Sequence, residues 1–79
     1  TKILVTIKTK AGITIPKVDV ALLDSEGFII DKNLTNNFGQ ITFSGLDVKK
    51  ARFVSASLAG YYPETTKVEL SKEDYSLTL

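Results

Sequence analysis

The sequence predicts a small all-β domain, an antiparallel sandwich of about seven short strands. Three observations predict it. The dominant hydrophobic period is two, the mark of strands buried on one face. Turn residues recur once per ~11 residues along the 79-residue chain, the spacing of sandwiches and barrels. No stretch carries the apolar pattern of an amphipathic helix of three turns.

The strands follow in order. In Lys2–Lys8, Ile3, Val5 and Ile7 share one face, and Lys10-Ala11-Gly12 makes the next turn. Lys17–Leu22 alternates with Val18, Val20 and Leu22 inward, and Pro16 precedes it where a missing N–H costs little. Ser25-Glu26-Gly27 reads as a hairpin turn. Phe28–Leu34 is the third strand, its register undecided because Ile29 and Ile30 point to opposite faces. Thr35–Gly39 turns the chain into Gln40–Phe43, with Ile41 and Phe43 inward. Ser44–Val48 leads to the fifth strand, Arg52–Leu58, where Val54, Ala56 and Leu58 oppose Phe53, Ser55 and Ser57. Gly60 breaks it. A sixth strand is centred on Val68 and Leu70, with Pro63 near its start. Ser71–Asp74 is a turn with room for one helical turn capped by Ser71, and Tyr75, Leu77 and Leu79 alternate in the last strand.

Composition narrows the function. The chain holds no Cys and no His, which removes disulfides, thiol nucleophiles, a Ser–His–Asp arrangement and the usual transition-metal ligands. Net charge is +1 with the charges dispersed; Lys49, Lys50 and Arg52 read as a solvated turn, so nucleic acid is not an expected partner. No apolar run approaches the ~20 residues that span a membrane. A chain starting at Thr1 without a visible signal peptide reads as one domain, residues 1–79, excised from a larger protein or left by processing, and a monomer in isolation.

The turn residues carry a resemblance. Gly12-x-x-Ile15-Pro16-x-Val18-x-Val20-x-Leu22, Asp24-Ser25-Glu26-Gly27, Thr35-x-x-x-Gly39-x-x-x-Phe43, Gly45-Leu46 and Ser57-Leu58-Ala59-Gly60-Tyr61 together resemble the carboxypeptidase regulatory-like domains, also called transthyretin-like or prealbumin-like. The resemblance spans nearly the whole chain and implies an immunoglobulin-like sandwich without catalytic activity, attached to secreted peptidases, receptors, adhesins or envelope proteins. Related hydrolases of similar architecture depend on histidine, so their activity does not carry over. Some related surface domains form a Lys–Asn isopeptide bond between first and last strands; Lys8 stands near the lysine position, but the last strand has no Asn.

Candidate site chemistry is sparse. Asp24 with Glu26, and Glu73 with Asp74, are the paired carboxylates, both in predicted turns where solvated acids are usual. Asp24, Glu26 and Asp47 are the nearest approach to a calcium set, but no Asp-x-Asp-x-Asp-Gly run joins them, so neither metal nor cofactor is expected. Asn33-Leu34-Thr35 is a glycosylation sequon, which makes Asn33 a candidate acceptor. Tyr61 is expected to fold back over the sandwich end, with Tyr62 and Phe38 as a stacking or docking platform. Phe53, with Leu4 and Leu23, makes a second candidate apolar patch. Lys2, Lys8 and Lys10 read as guards of an exposed first strand.

The resulting expectation is a non-catalytic structural or interaction module of a larger extracellular, cell-surface or periplasmic protein, with neighbouring domains as partners. A carbohydrate- or peptide-binding module using loop aromatics is the alternative. An accessory domain shaping the active site of a linked secreted enzyme is a third.

Overall fold

A computed structural model describes residues 2–69 and 72–79. Seven strands form two sheets: β1 (Lys2–Lys8), β2 (Asp19–Leu23), β3 (Ile29–Leu34), β4 (Gln40–Ser44), β5 (Phe53–Ser57), β6 (Glu64–Lys67) and β7 (Asp74–Thr78), with a short 3-10 helix at Leu46–Lys50 between β4 and β5. The sheet orders are β4-β1-β7 and β3-β2-β5-β6. Pairing is antiparallel except between β1 and β7, which run parallel with Leu4 opposite Asp74 and Lys8 opposite Thr78.

The period-two pattern explains the core. Ile3, Val5 and Ile7 from β1, Phe43 from β4 and Tyr75 and Leu77 from β7 meet Val20, Leu22, Val54 and Ala56 of the other sheet, all buried. Val18, just ahead of β2, is buried with them. Each fully buried Val or Leu contributes roughly 1.5–3 kcal/mol relative to exposure. The polar alternates Thr6, Ser55 and Ser76 point outward, so each sheet has one wet face.

Four expectations are corrected. The sixth strand is Glu64–Lys67, directly after Pro63; Val68 follows it, and Leu70 lies outside the described residues. Thr and Glu at 64–66 carried no apolar signal because β6 is an edge strand covering little core. The first strand is no edge at all, since β4 and β7 flank it, so Lys2, Lys8 and Lys10 do not guard an open ladder. Lys17 belongs to a turn rather than to β2, with φ of 60° in the left-handed region. Finally, the passage after Ser44 contains the 3-10 helix, which buries Val48 and Ala51; five residues are too few to show a helical period. The suggested Ser71 cap lies outside the described residues, and Asp74 belongs to β7.

The ambiguity at Ile29 and Ile30 has a structural cause. Ile29 pairs with Leu23 while Asp31 pairs with Leu22, so Ile30 is the extra residue of a β-bulge. It packs against the core, leaving Ile29 61% exposed on the outer face.

Strand directions define two ends. One end holds the 9–18, 35–39 and 58–63 loops, where β1 and β7 finish. The opposite end holds the 24–28 turn, the 3-10 helix and the segment feeding β7.

Candidate functional site

Three loops are built on one hydrogen-bonded plan. In Thr9–Ile13, Asp24–Phe28 and Asn36–Gln40 the first side-chain oxygen accepts from the N–H groups two and four residues on, at 2.9–3.3 Å. The first backbone N–H donates to the fifth carbonyl, and a glycine at position four donates to the first carbonyl. These glycines have φ of 85°, 87° and 72°, a region where a Cβ is strained. The sequence signal is Thr, Asp or Asn three residues before Gly.

Gly39 is held twice over. A Cβ there would stand 2.8 Å from Thr14 Cβ and 2.9 Å from both the Ile15 nitrogen and the Ile7 oxygen. This close approach welds the 36–39 turn to the 9–15 loop. Thr35, buried, clamps the next loop. Its hydroxyl donates to the Ile15 carbonyl and accepts from the Val18 N–H, both at 2.9 Å. Its own N–H donates to the Val18 carbonyl and its carbonyl accepts from the Lys17 N–H. Asn36, not Thr35, bonds within the turn, and Thr35 ties a loop 17–20 residues away.

On this rigid end stand Ile13 (66% exposed), Phe38 (73%), Tyr61 (43%) and Tyr62 (90%). Tyr61 is thus only partly folded back over the sandwich. The N–H groups of Ile13, Phe38 and Tyr61 are bonded within their own loops, to Thr9 Oγ1, Asn36 Oδ1 and the Leu58 carbonyl. Residues 9–18, 35–40 and 58–63 contain two charges, Lys10 and Lys17, and no carboxylate. Of the four sequence candidates, Phe38, Tyr61 and Tyr62 are therefore brought to one end. Phe53 is not: it begins β5 at the other end, half-buried between Leu23 and Lys67 on the outer face of the four-stranded sheet. Leu4 faces out of the other sheet, so the patch of Leu4, Leu23 and Phe53 does not form. Ile13 alternates with Ile15 in sequence, and nothing in that pattern shows that Ile15 is buried while Ile13 is exposed.

The remaining candidates stay dispersed. Asn33 is exposed on edge strand β3, its Oδ1 accepting from the Leu34 N–H, while the sequon's Thr35 hydroxyl is committed to the clamp just described. Asp24 spends Oδ1 on its own turn. Among the described residues no group of three His, Cys, Asp or Glu side chains converges as a metal set, and the Asp47 side chain lies outside what is described. A cleft of about 710 Å³ opens at the other end, lined by the apolar Ile3, Val48 and Val68 and the charged Lys2, Arg52 and Glu69, among others. Arg52 Nη1 there donates to the Lys49 and Ala51 carbonyls, closing the helix. Every buried side-chain polar atom among the described residues is bonded, so none is left aimed into the cleft.

No family model matches this chain, and no curated protein is similar to it at a significant level.

Proposed function

We propose that this domain is a non-catalytic structural and interaction module of a larger extracellular or cell-envelope protein, docking through its Ile13–Phe38–Tyr62 end onto a folded neighbour of the same polypeptide. The observation that carries this is the combination at that end: four exposed apolar side chains on internally bonded loops, none of which carries a carboxylate. An isolated exposed apolar residue means little; several gathered on one rigid end fit a contact surface. The Leu79 N–H, bonded to the Lys8 carbonyl, places Leu79 at the same end. The absence of His and Cys and the resemblance to carboxypeptidase regulatory-like modules support the same reading.

The test is the intact mass, with terminal sequencing, of the native polypeptide containing this segment, followed by hydrogen exchange on it and on the isolated chain. A product much heavier than 8.6 kDa, with the 36–39 and 60–62 loops protected only in the native form, is the expected result. A stand-alone product near that mass, or loops equally open in both, overturns it. The 90% exposure of Tyr62 favours a second role, stacking on a sugar ring or a peptide aromatic. In that case saturable binding to a soluble polysaccharide or peptide panel disappears on Tyr62→Ala while the circular dichroism melt stays unchanged.

A further inference from the structure

The parallel pairing of β1 with β7 has a mechanical consequence. The two strands are neighbours in one sheet and point the same way, so the beginning of β1 and the end of β7 lie at opposite ends of the domain. Tension applied between those two points pulls each strand along its own axis, in opposite directions. The rungs from Leu4 N–H to the Glu73 carbonyl (2.7 Å) through Leu79 N–H to the Lys8 carbonyl (2.9 Å) are then loaded together in shear. Had the strands been antiparallel, the same two points would sit at one end and the rungs would open one at a time.

Sliding is opposed by more than the ladder. Val5 and Ile7 of β1 and Tyr75 and Leu77 of β7 are buried knobs that would be dragged through the core. Tyr75 also ties the segment feeding β7: its hydroxyl accepts from the Glu69 N–H at 2.9 Å and stands 3.1 Å from the Lys72 carbonyl, to which it can donate. On its other side β1 is paired with β4, which is fastened by the Ile7 N–H to Gly39 carbonyl bond.

We propose that β1 and β7 form a shear clamp that makes this domain a load-bearing link under end-to-end tension. The inference rests on the structural-module reading for its purpose but not for its test. Forced rupture is governed by the unfolding barrier along the pulled direction, so geometry alone can change it at constant equilibrium stability. The chain has no cysteine, so handles attach only at introduced ones. Two double variants at exposed positions are compared by single-molecule force spectroscopy at equal pulling speed: Lys2→Cys with Thr78→Cys loads the ladder in shear, and Lys10→Cys with Thr78→Cys peels it from one end. Matching denaturant midpoints establish that both are folded and equally stable. The expected result is a rupture force several-fold higher for the first pair. Equal forces, or a lower force for the first pair, overturn the clamp. That failure leaves the docking reading standing, since native mass and loop protection decide it separately.

Discussion

Thr35 shows how one hydroxyl can substitute for a turn's own hydrogen bond. Lys17 sits at φ 60°, and the Ile15 carbonyl and Val18 N–H that flank the Pro16-Lys17 turn do not meet; the Thr35 hydroxyl stands between them and satisfies both. Removing it leaves a buried donor and acceptor without partners, which costs about 1–3 kcal/mol for such a group. Thr35→Val keeps the shape and loses the bonds. Its thermal midpoint should fall by about 4–8 °C per kcal/mol for a domain of this size. Thr35→Ser keeps the bonds and loses one methyl, worth about 0.8 kcal/mol, so it should melt between wild type and Val. Calorimetry giving Val the same midpoint as wild type would show that the clamp contributes nothing. At Gly39 the damage is steric as well as conformational, and Gly39→Ala should be the more destructive of the two, because backbone atoms of two loops must move to admit a Cβ. Neither role could be read from spacing alone. Thr35 is an ordinary turn residue in sequence, and its partners lie in a loop that only the fold brings alongside.

At the scale of elements, legibility followed burial. β1, β2 and β5 sit inside their sheets, lose one face to the core, and were visible as clean alternation of Ile, Val and Ala with polar residues. The apolar pattern points to Val68 rather than to β6 because Glu64-Thr65-Thr66-Lys67 buries almost nothing, and hydrophobic period reports only what is buried. β3 was found but its register was not, since a bulge at Ile30 breaks period two. Three of the four candidate surface residues gathered at one end because their turns do; Phe53 belongs to a strand and went elsewhere. The same ordering predicts local stability. Edge strands β3 and β6 leave one row of backbone groups to water, whereas β1, β2 and β5 are paired on both sides. Amide exchange should therefore be slowest at Val5, Val20 and Val54 and fastest, outside the loops, in β6. Protection of β6 equal to that of β5 would mean its outer edge is covered by another chain in solution.

For the whole molecule, the two sheets differ in how their chain is closed. Two of the three pairings in the four-stranded sheet are local: β2 and β3 form a hairpin across the Asp24–Phe28 turn, and β5 pairs with β6 across 58–63, while β2–β5 joins the two hairpins, with Leu23 opposite Phe53. The three-stranded sheet contains only distant pairings, with Ile3 opposite Phe43 and Lys8 opposite Thr78. Closing a long loop costs entropy before any contact repays it, so distant pairings slow folding and tend to form after local ones. The β2–β3–β5–β6 sheet is accordingly expected to be formed in the folding transition state and β7 to dock after it. Val54→Ala and Leu77→Ala both remove buried apolar atoms, so each should be destabilising enough for its effect to be apportioned between rates. Stopped-flow chevrons should show Val54→Ala mainly slowing folding and Leu77→Ala mainly speeding unfolding. The reverse assignment would place β1–β7 pairing in the nucleus, despite the length of chain it has to close. A late-forming β7 is also the strand whose loss begins unfolding, which is why its attachment to β1, in shear or in peeling, decides how the domain yields when pulled.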